Sequence, residues 1–264
     1  MKAFNAIHLE REGAVEVLTL HRPESLNALN QVMIEELIRY FTLLQDRPDV
    51  RVVLMRGAGR AFCAGADLKE PRSTDARVHA TLKRQRSIGR VVRLMRACPQ
   101  PIIGLGHGAA CGGGFSFLLA CDVRYGAPSL KMNAAYIRIG ISGCDIASSY
   151  LLPRLVGLSV ASEFLLTGRF MTAERALAAN LISAVVPEDE LLNAGRQLAE
   201  DMLLTSPMGL RLTKDALNLS IDAPSLDAAM ALEDRQQVLL TFTDDYVEAR
   251  QAFIGRRRPT YHDR

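Results

Sequence analysis

Short apolar runs alternate with amphipathic stretches through the first half of the chain. Residues 15–20 (VEVLTL) predict a strand, stopped by Arg22-Pro23. Residues 29–44 set Leu29, Val32, Met33, Leu37, Phe41 and Leu44 near one face of a 3.6-residue period and predict an amphipathic helix. The β-branched run 50–56, ended by Gly57, and the apolar runs 101–105 and 121–125 predict three more strands. Apolar strands alternating with helices indicate an α/β core whose sheet is covered on both faces. Past about residue 145 the pattern is nearly all helical, with breaks at Pro153, Gly157, Gly168, Pro187, Pro207 and Pro224 and a candidate edge strand at 184–186. The predicted division is a core over 1–200 and a helical region over 201–264, with helices starting near Pro207 and Pro224. No tandem repeat interrupts this order.

Composition narrows the function. A chain of 264 residues, 48% hydrophobic and 23% charged, buries a sizeable core without staples. The net charge of +3, with no basic strip interleaved with aromatics, argues against nucleic acid. Five cysteines with no CxxC pair argue against a disulfide framework or a metal site and fit a reducing compartment. The start MKAFNAIHLEREG has no apolar stretch of a leader, and no run approaches the ~20 residues that span a bilayer. The expectation is a cytoplasmic protein with no membrane partner. One local bias stands out: residues 72–96 hold eight basic side chains against Asp75 alone, net +7. Such a segment is either a solvated helix face or a field that attracts an anionic ligand.

Two turns carry candidate chemistry. The stretch 60–70, RAFCAGADLKE, follows the predicted strand 50–56. Asp67 and Glu70 have the spacing of a capping box, which predicts a sharp turn at Gly65-Ala66 into a helix. The stretch 108–115, GAACGGGF, follows the strand 101–105 and precedes an apolar helix over 115–120. Three glycines at a helix start expose N–H groups at the positive end of the helix dipole. A phosphate cradle is disfavoured because no GKS or GKT follows. Two backbone N–H groups from separate turns suit one oxygen gaining negative charge, a stabilisation of about 2.7–4 kcal/mol per donor in a dry site.

The motifs HRPESLNALN (21–30), RAFCAGADLKE (60–70), GAACGGGFSFLLACDVRYG (108–126), LLTGRFMTAERALAANLISAVVP (165–187) and SPMGLRLTKDALN (206–218) occur in this order along nearly the whole chain. They resemble the crotonase, or enoyl-CoA hydratase/isomerase, family. The resemblance implies a crotonase-like spiral of ββα units with a C-terminal helical region, assembled as a homotrimer or a dimer of trimers. It implies an acyl-CoA substrate, with coenzyme A part of the thioester and no separate cofactor. The oxyanion donors would be the N–H groups of Ala66 and Gly113. Leu26, Ala64, Gly65, Asp67, Leu68 and Gly112 would line the substrate path.

The chain departs from the hydratase pattern that the resemblance implies. The two glutamates acting as acid and base fall at Ser116 and Tyr136. No Asp or Glu occurs from Ala109 to Cys121 or from Val123 to Cys144. Hydration needs a positioned acid and base, and neither hydroxyl is a good base at neutral pH. Asp122 stands where the family's aspartate is structural. The next carboxylate is Asp145, which could N-cap a helix over 146–152 or, as in family branches that place an aspartate in this loop, move a proton. The stretch from Asp145 to Gly157 is similar to the dehalogenase branch, but the chain has no tryptophan to hold that enzyme's aromatic ring. His107 is a candidate base or a structural histidine, and 256–261 (RRRPTY) a solvated tail or a contact for CoA phosphates. The leading expectation is proton transfer by Asp145, with Tyr136 and Ser116 shaping the site or donating, as an isomerase or an atypical hydratase. A C–C hydrolase acting on a cyclic acyl-CoA and a non-catalytic acyl-CoA-binding protein are the alternatives.

Overall fold

The computed structural model describes residues 4–70 and 78–264. Arg72, Asp75 and Arg77 of the basic segment therefore lie outside the described residues. The elements run β1 (Ile7–Glu12), β2 (Val15–Leu20), α1 (Gln31–Leu44), β3 (Val52–Gly57), α2 (Val78–Ala97), β4 (Ile102–Gly106), β5 (Ala109–Cys111), α3 (Gly113–Ala120), β6 (Val123–Gly126) and β7 (Lys131–Asn133). They continue with α4 (Ser148–Val156), α5 (Leu158–Thr167), β8 (Met171–Thr172), α6 (Ala173–Ala178), β9 (Ala184–Val185), α7 (Leu191–Leu203), α8 (Pro207–Ser220), α9 (Leu226–Thr241) and α10 (Asp244–Ile254).

One six-stranded sheet has the order β1-β2-β3-β4-β6-β9, antiparallel at the β1-β2 hairpin and parallel elsewhere. Its side chains alternate between two cores, as a strand period of two requires. Val15, Val17, Val52, Leu54, Ile103 and Leu105 face α7 through Leu191 and Ala199. Leu18, Leu20, Val53, Met55 and Ile102 face the opposite core with α1, α2 and α3. Burial on both faces is why these strands read as continuous apolar runs. A second sheet, β5-β7-β8, joins the glycine turn to later chain. The expected α/β core, a largely parallel sheet covered on both faces, is thus the observed architecture.

Several local expectations differ. Asp67 and Glu70 form no capping box: Asp67 Oδ1 accepts from Lys69 N at 3.1 Å, whereas Glu70 reaches Gln31 N at 3.0 Å and the Arg84 guanidinium. Tertiary partners outcompete the local motif, and the next described helix starts at Val78. Pro153 sits inside α4 instead of breaking it. Residue 200 lies within α7, and α8 starts at Pro207 as expected, with the Ser206 hydroxyl accepting from Gly209 N at 3.2 Å.

Candidate active site

Backbone bonding locks the two small-residue turns together. Cys63 N donates to Ala109 O at 3.0 Å and Cys111 N to Cys63 O at 2.9 Å. Glycine makes the approach possible. A Cβ on Gly114 would lie 2.2 Å from Cys63 O, and one on Gly65, at φ +91°, would lie 2.8 Å from Cys111 O. The 60–70 turn is held from its other side by the 21–30 loop. Leu29 N donates to Gly65 O at 2.7 Å, Asp67 N to Leu29 O at 3.0 Å and Ala64 N to Leu26 O at 2.9 Å. The buried Asn27 donates to Ala58 O and Ala61 O, each at 2.8 Å, and Arg22 pairs with Asp67 at 3.0 Å.

This bonding leaves two amides over. The Leu29–Ala66 bridge uses the groups flanking Ala66, so the Ala66 N–H has no acceptor among the described residues. Gly113 opens α3, where the first N–H groups have no intrahelical acceptor, and its N–H is likewise without one among the described residues. Gly112, at φ 50° and ψ −116°, has the backbone of the first central position of a type II′ turn, which glycine adopts freely. All eight residues of α3 are buried behind it.

Ser116 and Tyr136 meet beside the Gly113 turn. Both are buried, their hydroxyls are 2.6 Å apart, and Tyr136 donates to Gly112 O at 2.8 Å. Burial pushes the Tyr136 phenol above its ordinary range, and the Asp145 charge pushes in the same direction. Asp145 is half-buried, and desolvation raises its carboxyl above the ordinary aspartate range. Its Oδ1 accepts from the Gln85 side chain and from Ile146 N at 2.7 Å. It does not cap α4: that helix starts at Ser148 after Ala147, with no side-chain cap. Ile146 and Ala147 both take left-handed backbone, at φ 46° and 65°. Such a conformation is costly in a β-branched residue, and it separates Asp145 from the helix.

The family model for enoyl-CoA hydratase/isomerase matches residues 10–264. The chain belongs to the enoyl-CoA hydratase/isomerase family. It is an acyl-CoA-processing enzyme of that family. It is 35% identical over 252 residues to a Mycobacterium tuberculosis protein named as a probable enoyl-CoA hydratase, EchA12, covering 93% of this chain and 88% of that one. It is 30% identical over 258 residues to the short-chain-enoyl-CoA hydratase of Clostridium acetobutylicum, covering 96% of each. The crystal structure of an enoyl-CoA hydratase from Bacillus anthracis superposes with a TM-score of 0.93 at 30% identity, covering 98% of this chain and all of that one.

Within this family fold, the predicted site residues fall into one neighbourhood with different attachments. Ala64, Gly65 and Ala66 sit on one turn, and Gly112 and Gly113 on the other. Leu26 supplies the carbonyl that holds Ala64, and Leu68 is 63% exposed. The Asp67 carboxylate is occupied by Arg22 and Lys69 N. His107 is buried with Nε2 2.9 Å from Gly59 O and lines a cavity with Arg56, Glu188 and Arg196. The tail folds back on its own chain: Arg257 pairs with Glu248, and His262 N donates to Asp245 at 2.8 Å. In the basic segment, Arg84 pairs with Glu70 and Arg96 with Asp122, while Lys83, Arg86, Arg90 and Arg93 are exposed. Sequence reasoning missed Gln85, the partner of Asp145. A glutamine inside a basic helical run carries no signal of its own. Arg22 lies in the 21–30 motif, but nothing in the sequence ties it to Asp67.

Proposed function

We propose that the enzyme grips the carbonyl oxygen of an acyl-CoA thioester between the N–H groups of Ala66 and Gly113, and that Asp145 moves the proton. The observation that carries this reading is the contrast beside the glycine turn. The Tyr136 hydroxyl donates to Gly112 O and the Ser116 hydroxyl is hydrogen-bonded to Tyr136, so neither presents a free base. Asp145 is the carboxylate whose charge reaches Tyr136, and its raised pKa suits a group that must both take and return a proton. In a 3-enoyl thioester, Asp145 takes a proton from C2. The electron pair passes through the double bonds to the thioester oxygen, forming a dienolate that the two N–H groups stabilise. The same proton returned to C4 leaves the 2-enoyl thioester. No glutamate pair is present to position water, which favours isomerisation over ordinary hydration.

Incubation with crotonyl-CoA, a 3-enoyl-CoA, a dienoyl-CoA and a cyclic β-diketone-CoA, followed by mass spectrometry, tests the reading. The expected result is conversion of the 3-enoyl substrate, dependent on Asp145. Fast hydration of crotonyl-CoA that survives Asp145→Asn would overturn it. We further propose self-association as a trimer or a pair of trimers. Its support is the large apolar side chains left open on the C-terminal helices, among them Leu226, Phe242 and Phe253 at 74%, 84% and 85% exposed. Light scattering on the eluted protein reads this directly, and a monomer would refute it.

A further inference from the structure

Tyr136 has one hydroxyl hydrogen and two oxygen neighbours. Its oxygen lies 2.8 Å from Gly112 O and 2.6 Å from Ser116 Oγ. A carbonyl oxygen only accepts, so the contact with Gly112 is attractive only if Tyr136 donates there. The Ser116 hydrogen must then go to the Tyr136 oxygen. The two bonds form a directed chain from Ser116 O–H to Tyr136 O–H to Gly112 C=O.

That carbonyl belongs to the same peptide group as the Gly113 N–H. A donor on a peptide oxygen draws electron density toward it and leaves the N–H across the bond more positive. Backbone bonds already hold this glycine: Gly112 N donates to Asn133 O at 2.9 Å and Ser116 N to Gly112 O at 3.0 Å, at a φ 50°, ψ −116° that glycine adopts freely. The phenol, buried in its short helical turn Ala135–Ile139, adds a second donor to that carbonyl from a rigid element.

We infer that Tyr136, reinforced by Ser116, is a positioning residue that orients and polarises the Gly112–Gly113 peptide so that the Gly113 N–H becomes a stronger oxyanion donor. The inference rests on the reading that this N–H grips the thioester oxygen. It gives the two residues a task other than acid and base. The bonding that keeps them from acting on water aligns them with the oxygen that gains charge. Cys63, Gly114 and α3 hold the backbone, while the hydroxyl chain tunes one donor on it.

The test uses 4-dimethylaminocinnamoyl-CoA, whose absorption moves to the red as its carbonyl is polarised. The wild-type enzyme should bind it with a red shift. Tyr136→Phe keeps the ring and removes the donor. Its red shift should fall by about 10–30%, the scale of cooperative strengthening per bond. In turnover of the 3-enoyl substrate, kcat should fall with KM nearly unchanged. Ser116→Ala leaves the Tyr136–Gly112 contact in place, so a purely structural role for the phenol predicts no change. The chain predicts a smaller loss of red shift in the same direction. A wild-type shift in both Tyr136→Phe and Ser116→Ala would overturn the inference while leaving the oxyanion reading standing. Binding by wild type with no shift at all would overturn both. Were Tyr136→Phe to misfold, Ser116→Ala would carry the test alone, with loss of shift supporting the chain and an unchanged shift refuting it.

Discussion

Asp122 and Asp145 are the same side chain in two opposite settings. Asp122 follows α3 and sits among cations: its carboxylate is 2.9 Å from Lys214 Nζ and 3.2 Å from Arg96, and it accepts from Ile102 N at 2.8 Å. Lys214 is buried and also donates to Met95 O and Gln100 O. This junction ties the C-terminal helix α8 to the start of the interior strand β4. Asp145 has no cation partner among the described residues, only an amide side chain and one backbone N–H. Two ion pairs and a backbone N–H hold the first aspartate in place, which serves the fold. Desolvation without a counter-charge lifts the affinity of the second for a proton, which serves chemistry. The difference comes from what the tertiary structure places around each one.

The comparison breaks most visibly at the paired site. Asp122→Ala leaves the buried Lys214 ammonium without its carboxylate and should cost about 3–5 kcal/mol of stability, read as a lower urea midpoint. Its effect on kcat per folded molecule should be small. A stable Asp122→Ala with lost turnover would invert the assignment of roles. Asp145→Asn should do the opposite. It should lower kcat by about 100-fold or more, roughly 2.7 kcal/mol, with the protein fully folded. Turnover within threefold of wild type would remove Asp145 from the mechanism.

A smaller effect tests the loop that holds Asp145. Ala147 is left-handed, which costs an L residue roughly 1–2 kcal/mol, and glycine removes that cost while adding about 0.5–1 kcal/mol of unfolded-state entropy. Ala147→Gly should therefore gain at most about 1.5 kcal/mol in stability and lose activity as the carboxylate loosens. A gain in both would show that the strained backbone is not what aims Asp145.

The smallest effect is in pH. The folded pKa of Asp145 is raised above the unfolded value near ~3.9, so the folded state holds the proton longer. Its contribution to stability is present below the unfolded pKa and is lost as pH rises through the folded pKa. Asp145→Asn should thus gain stability relative to wild type across that window in melting curves. The acid limb of the kcat profile should lie above the ordinary carboxylate range in wild type and vanish in the variant. Parallel melting curves across the window would contradict the raised pKa.

Much of the fold was legible because its signals are local. The run 15–20 is β2 residue for residue, and the apolar face of 29–44 packs as α1 behind its Asn30 cap. Strands of two or three residues were not legible. Neither β5, inside the glycine turn, nor β7 has enough alternation to register, and each forms only because the other presents a matching edge. The capping spacing at Asp67 and Glu70 failed for a related reason: Arg22, Gln31 and Arg84, distant in sequence, bind those carboxylates first.

By itself, the sequence determined the family, the order of most of the longer strands and helices, and the two glycine-bearing turns, because each rests on residues close along the chain. It also determined that no glutamate occupies the positions of Ser116 and Tyr136. Only the tertiary structure decided that these hydroxyls bond to each other, that Tyr136 reaches Gly112 O, that Gln85 meets Asp145, and that the Asp145 side chain does not cap α4. The physical reason is that hydrogen-bond direction and desolvation depend on neighbours many residues away. The chain lists its donors and acceptors, and packing determines which of them meet.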